Sequence, residues 1–238
     1  MYKMELVLSN SHVDEKEQLK YVAMLNALQD IEGLHINYLH EFTNYLNKNN
    51  LGVFLMYRQI EIIKKPQFGE KIILKTYPYN TNSIGGYRHI YIEDEKGNVL
   101  VKTNAFGAYV NLETFIPERI PKEIIKTIPD GTKDLSIKDY PRKIKYEDDN
   151  FTLIGKEQIR KSHIDRYQHV NNAYYLEFVL NYYKEFLFNI IRIEYIKSFV
   201  LNDIVYIYEK EVSSSEKIYL LKNQKDELCA IVQLIAHK

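Results

Sequence analysis

The segment Asp165-Arg166-Tyr167-Gln168-His169-Val170-Asn171-Asn172 puts a carboxylate four residues ahead of an imidazole, with two side-chain amides behind it, where a helical pattern begins. A carboxylate just before a helix can orient a water or take its proton. The first turn of a helix has N–H groups without internal acceptors, and these can polarise a carbonyl. An imidazole changes charge near neutral pH, so His169 can serve the carbonyl or the water. Together these groups suit attack of water on a carbonyl carbon. Asn171 and Asn172 are expected to fix the helix entry through their amides. A plainer reading stays open, in which Asp165 caps the helix and His169 is a partly buried histidine.

Competing chemistries lack their residues. There is no Gly-x-Ser-x-Gly elbow, no phosphate loop and no dinucleotide fingerprint. The seven histidines lack metal-ligand spacing with Cys or Glu. His163 and His169 flank Asp165, but no metal and no cofactor are expected.

The elements that must position these residues occur twice. Ser11-His12-Val13-Asp14 returns as Ser162-His163-Ile164-Asp165, 151 residues on. Apolar residues follow each copy at three-to-four spacing: Leu19, Val22, Ala23, Leu25, Leu28 and Ile31 after the first, Val170, Ala173, Leu176, Phe178, Val179 and Tyr183 after the second. Each stripe predicts a long helix. Strands follow: Ile60-Glu61-Ile62-Ile63-Lys64 returns as Ile193-Glu194-Tyr195-Ile196-Lys197, 133 residues on. The shorter offset places a longer helix-to-strand connection in the first half, within 33–52. Asp94–Asn98 and Asn223–Glu227 read as hairpin turns. Each half is therefore one helix against antiparallel strands, an α+β unit made by duplication. Residues 1–118 and 150–238 form the two domains, and 119–149, with Pro117, Pro121, Pro129 and Pro141 in or beside it, reads as a linker.

Composition bounds the rest. Of 238 residues, 45% are hydrophobic and 27% charged, the balance of a folded globular chain. Lys plus Arg and Asp plus Glu number 32 each, which argues against a protein that coats nucleic acid or anionic membrane. A local basic cluster remains compatible with that balance. Cys229 stands alone in an apolar run and reads as a small core residue in a reducing compartment. Without a leader or an apolar stretch approaching the ~18 residues of a membrane span, a cytoplasmic location is expected.

The stretch Ile60 to Ile120 resembles the first half of the acyl-acyl carrier protein (ACP) thioesterases. It carries Pro66-Gln67-Phe68-Gly69-Glu70, Thr76-Tyr77-Pro78, Gly86-Tyr87-Arg88, Asn111-Leu112-Glu113-Thr114 and Arg119-Ile120-Pro121 in the family's order. Asp165 to Asn172 is similar to the family's Asp-x-Asn-x-His-Val-Asn-Asn text. The resemblance implies a tandem, or double, hot-dog fold, two antiparallel sheets each wrapping a long helix. It implies hydrolysis of fatty acyl-ACP thioesters to free fatty acid in fatty acid biosynthesis, with an acylated carrier protein as partner. It places the site in the second half: Asp165 and His169 as catalytic residues, with Val170, Asn171 and Asn172 binding substrate.

The repeat agrees, because His169 has Gln18 as its counterpart, so the first half keeps the aspartate without the histidine. Two positions depart from the family. Tyr167 stands where relatives hold asparagine, and Ser198 where they hold a second carboxylate. Both are carried as catalytic positions, although a serine hydroxyl is no base at neutral pH. A site resting on Asp165 alone, as in single hot-dog acyl-CoA thioesterases, stays open, and the alternative functions are a non-catalytic acyl-thioester-binding hot-dog protein and an acyl-CoA thioesterase. A homodimer stays open, since the fused repeat already supplies the pairing that single hot dogs gain by dimerising.

Overall fold

The computed structural model describes residues 1–184 and 186–236. Contacts divide the chain into two units, Met1–Met56 with Ile62–Tyr140, and Tyr57–Glu61 with the chain from Pro141 onward. In the first unit β1 (Tyr2–Val7), β3 (Lys71–Asn82), β4 (Gly85–Asp94) and β5 (Val99–Asn111) pair in that order, all antiparallel. Ile72, Leu74 and Thr76 alternate along β3 and are buried, as period-two patterning requires. Helix α1 (Tyr21–Tyr38) lies against β1 and β3. It buries Met24, Leu25, Leu28, Ile31 and His35, one stripe at helical spacing. The longer connection expected in 33–52 is filled by α2 (His40–Lys48), whose Phe42 and Leu46 pack on Leu51 and Tyr109. Strand β2 (Leu51–Ile62) follows.

The second unit repeats the plan. Residues 57–61 of β2 pair with β7 (Ile190–Tyr195), followed by β10 (Leu228–Ile235), β9 (Glu216–Lys222), β8 (Ile204–Ser213) and β6 (Thr152–Gln158), again antiparallel throughout. Both predicted hairpin turns are closed by their first side chain. Asp94 Oδ1 accepts the Lys96 and Asn98 N–H groups at 2.9 and 2.8 Å. Asn223 Oδ1 accepts those of Lys225 and Glu227 at 2.9 and 3.1 Å.

The helix of this unit, α4 (Ala173–Leu180), has eight residues, shorter than the stripe from Val170 to Tyr183 predicts. Val170 precedes it because its N–H is given to Phe199 O. Past Leu180 the side chains turn to β6: Asn181 Nδ2 donates to Glu157 at 3.3 Å and Tyr182 Oη to Lys156 O at 2.8 Å. The Tyr182 ring then lies directly on Gly155, where a Cβ would overlap it.

The segment 119–149, expected as a linker, is packed. Ile120 and Ile128 join the cluster under α2, next to the short helix α3 (Lys122–Ile125). Gly131 N–H donates to Pro78 O at 2.7 Å. Asp134 accepts the Tyr91 hydroxyl at 2.7 Å and donates its own N–H to His89 Nε2 at 3.1 Å. From Pro141 the chain crosses to the second unit, where Pro141 O accepts from Arg192 and Ile144 is buried with Ile218, Leu220 and Ile231. Burying each such isoleucine stabilises by about 1.5–3 kcal/mol. These isoleucines are too widely spaced to show any period, so the prolines alone marked the segment.

Candidate active site

Asp165 and His169 belong to a closed loop between β6 and α4. Asp165 N–H donates to His169 O at 2.8 Å, and Gln168 N–H returns to Asp165 O at 3.1 Å. Gln168 takes φ of 63°, the left-handed turn that lets the loop close. Asp165 Oδ1 accepts two backbone N–H groups, Tyr167 at 2.8 Å and His169 at 3.3 Å. Among the described residues no donor reaches Oδ2. One carboxylate oxygen therefore braces the loop. Both side chains are half-buried.

Burial lowers the His169 pKa below the ordinary histidine value, with the nearby Asp165 charge opposing. Burial thus favours the neutral imidazole, which carries one N–H. His163 serves the scaffold: its Nδ1 accepts Arg160 N–H at 3.2 Å and its ring packs against Tyr174 and Phe178. An adjoining cleft of about 220 Å³ is lined by Glu157, Arg160, His163, Tyr174, Glu177 and Phe178 with Asn181, and includes neither Asp165 nor His169.

The amides after His169 are mostly engaged. Val170 N–H goes to Phe199 O, Asn171 N–H to His163 O and Tyr174 N–H to Asn171 O, at 2.9, 2.8 and 3.0 Å. Ala173 N–H goes to Asn171 Oδ1 at 2.9 Å, so Asn171 fixes the helix entry as its amide suggested. Asn172 contributes through its carbonyl, which accepts the Tyr195 hydroxyl at 3.3 Å. Its N–H has no protein acceptor among the described residues. Val170 is a core side chain at 2% exposure.

Tyr167 holds Arg166, whose Nη2 donates to the phenol oxygen at 2.8 Å. Ser198 follows β7, half-buried, one residue before the Phe199 carbonyl that anchors Val170. Ser198 and His169 thus flank the two ends of one backbone hydrogen bond. Sequence reasoning missed Tyr175, whose buried hydroxyl accepts Phe199 N–H at 3.2 Å. Comparison of the two halves at the repeat offset, Met24 against Tyr175, carried that signal.

The first unit builds the same loop bond for bond. Asp14 N–H donates to Gln18 O at 2.8 Å and Glu17 N–H to Asp14 O at 3.0 Å, with Glu17 at φ 59°. Asp14 Oδ1 accepts the Lys16 and Gln18 N–H groups, both at 3.0 Å. Even the N–H of Ser9 to His12 Nδ1, 3.0 Å, mirrors Arg160 to His163. The difference is at the place of the imidazole, where Gln18 stands.

No curated protein matches the sequence. Among solved structures, an acyl-ACP thioesterase from Bacteroides thetaiotaomicron superposes with a TM-score of 0.86 at 22% identity, covering 98% of this chain and 96% of that one. The 12:0-ACP thioesterase from Umbellularia californica superposes at 0.83 with 17% identity and the same coverage, 98% and 96%. The fold they share with this chain is the double hot dog. The family description "acyl-ACP thioesterase N-terminal domain" matches residues 1–128, and "acyl-ACP thioesterase C-terminal domain" matches 146–235. With the matches spanning most of its length, the chain belongs to the acyl-ACP thioesterase family.

Proposed function

We propose that Asp165 and His169 carry the family's reaction, hydrolysis of a fatty acyl-ACP thioester to free fatty acid and carrier thiol. The observation that supports this most is His169 joined to Asp165 in a loop whose first-unit copy carries Gln18, with Asp165 Oδ1 bound to the loop and Oδ2 meeting no protein donor among the described residues. A water held at Oδ2 is made nucleophilic as it surrenders a proton to the carboxylate. Its oxygen bonds to the thioester carbon, the C–S bond breaks, and the proton passes from Asp165 to the leaving thiolate. The neutral His169 N–H and the Asn172 N–H are the donors for the developing oxyanion. Ser198 and Tyr167 border this space without supplying a base.

The carrier protein reaches the site with the acyl chain, and the exposed Arg160, Lys161 and Arg166 around the loop form a basic lip suited to an acidic partner. Release of free thiol from fatty acyl-ACP by the purified chain tests the reading, with His169→Gln reproducing the first-half residue. The parent should turn over and the variant should fall about 10²-fold or more, the size of one oxyanion donor. A variant as fast as the parent would remove His169 from the chemistry.

A further inference from the structure

The segment after β7 is gripped from two sides. Phe199 gives its carbonyl to Val170 N–H at 2.9 Å, next to His169. It gives its N–H to the Tyr175 hydroxyl of α4 at 3.2 Å. Tyr175 is 2% exposed, and its ring meets Tyr195 edge-on at 5.3 Å and Phe199 at 5.5 Å. The grip fixes the two peptide groups that flank Phe199, and with them the C-terminal side of Ser198, relative to the Asp165–His169 loop.

The first unit shows which part of this grip the fold needs. Pro66 stands at the place of Phe199, and its carbonyl still accepts Leu19 N–H at 2.9 Å, the counterpart of the Val170 bond. Pro66 has no N–H to give. Met24, at the place of Tyr175, has no hydroxyl to receive one. The first unit closes the same loop, with the same Asp14 bonds, without this second hydrogen bond. Donor and acceptor are therefore present together in the half that carries the histidine and absent together from the half that lacks it.

We propose that Tyr175 is a positioning residue: its hydroxyl holds the Ser198–Phe199 backbone in register with Asp165 and His169, and turnover depends on that register. The inference rests on the assignment of Asp165 and His169 made above. A shift of about 1 Å in a supporting element can cost ~10²-fold in rate without touching substrate.

The test uses Tyr175→Phe in the whole chain, with thiol release from fatty acyl-ACP and hydrogen exchange at the Phe199 amide. We expect kcat to fall by about tenfold or more, KM to stay within about twofold, and the Phe199 amide to exchange faster. Ile218→Val, in the cluster shared with Ile144, is matched for loss of melting temperature and should keep the parental kcat. Asp165→Asn runs beside them. If Asp165→Asn is inactive and Tyr175→Phe is as fast as the parent, the positioning role falls while the site stands. If Ile218→Val loses as much kcat as Tyr175→Phe, the effect is general destabilisation and the proposal falls. If Asp165→Asn is as fast as the parent, site and positioning role fall together. Should Tyr175→Phe fail to fold, Tyr175→Met supplies the first-half side chain, and failure of both to fold would make Tyr175 a folding residue and overturn the proposal.

Discussion

Asp165 and Asp14 make the same pair of backbone hydrogen bonds, so the molecule contains its own control for separating a cap from a catalyst. Removing the carboxylate with Asp165→Ala deprives Tyr167 and His169 N–H of their acceptor. Asp14→Ala does the same to Lys16 and Gln18. Losing such a cap costs about 1–2 kcal/mol, and at this chain length each kcal/mol lowers Tm by roughly 2–4 °C. Both alanine variants should therefore melt about 2–8 °C below the parent. Asparagine keeps an amide oxygen for the two N–H groups, so Asp165→Asn and Asp14→Asn should melt close to the parent. The activities should separate where the stabilities do not. General-base assistance is worth ~10²–10⁴ in rate, so both Asp165 variants should lose that much kcat in thiol release from acyl-ACP, and neither Asp14 variant should lose any beyond a few fold. Calorimetry and steady-state assays on the four proteins decide. If Asp165→Asn stays within a few fold of the parent, or if Asp14→Asn loses as much as Asp165→Asn, the carboxylate is a cap in both halves.

Further outcomes are expected. His35 is buried with its Nδ1 accepting from Arg88 Nη1 at 2.7 Å, and burial with the adjacent guanidinium lowers its pKa from 6.5 to about 4. Because the folded value lies below the unfolded one, the unfolded chain binds the extra proton, and stability present above pH 6.5 is lost as pH falls toward about 4. The loss is on the order of 3 kcal/mol, and His35→Gln should flatten that part of the stability-versus-pH curve measured by urea unfolding. Gly131→Ala places a Cβ against the Tyr77 ring under the packed segment. It should cost about 1–3 kcal/mol, whereas a chain in which 119–140 is a free tether would show no change in Tm. Ser198→Glu with Tyr167→Asn restores both family side chains and should raise kcat in thiol release. A double variant that is folded by circular dichroism yet no faster than its parent would exclude this position from the machinery.

The duplication was legible because two short texts kept their order and context, and the loop bonds around Asp14 and Asp165 show why those texts persist: each aspartate closes its own turn. Helix α1 was legible because Leu25, Leu28 and Ile31, read as part of one stripe at helical spacing, are buried on one face. The end of α4 was not, since Tyr182 and Asn181 leave the helix for partners on β6, Lys156 and Glu157, that no local pattern points to. The fate of the amides after His169 was hidden for the same reason. Their acceptors, Phe199 O and His163 O, lie on other segments, so a sequence that promises free N–H groups at a helix start can spend most of them on its own fold. The packed course of 119–149 depends on isolated isoleucines whose burial is decided by the sheets they meet.

An aspartate cradled by its own loop is weak evidence for catalysis, because the first unit keeps the cradle and lacks the imidazole. The informative differences are those that change chemistry at fixed backbone geometry. Gln18 against His169 exchanges an uncharged amide for a titratable ring. Lys65 against Ser198 exchanges a cation for a hydroxyl, and in the first unit that cation sits 3.8 Å over the Tyr21 ring, at the helix entry. Pro66 against Phe199 removes a donor, and Met24 against Tyr175 removes its acceptor. None of these four exchanges alters the loop bonds, so the demands of folding do not account for them. All four lie along the Asp165 loop, the start of α4 and the segment after β7. The proposed reaction at that place would account for them together, since they are what the two copies no longer share.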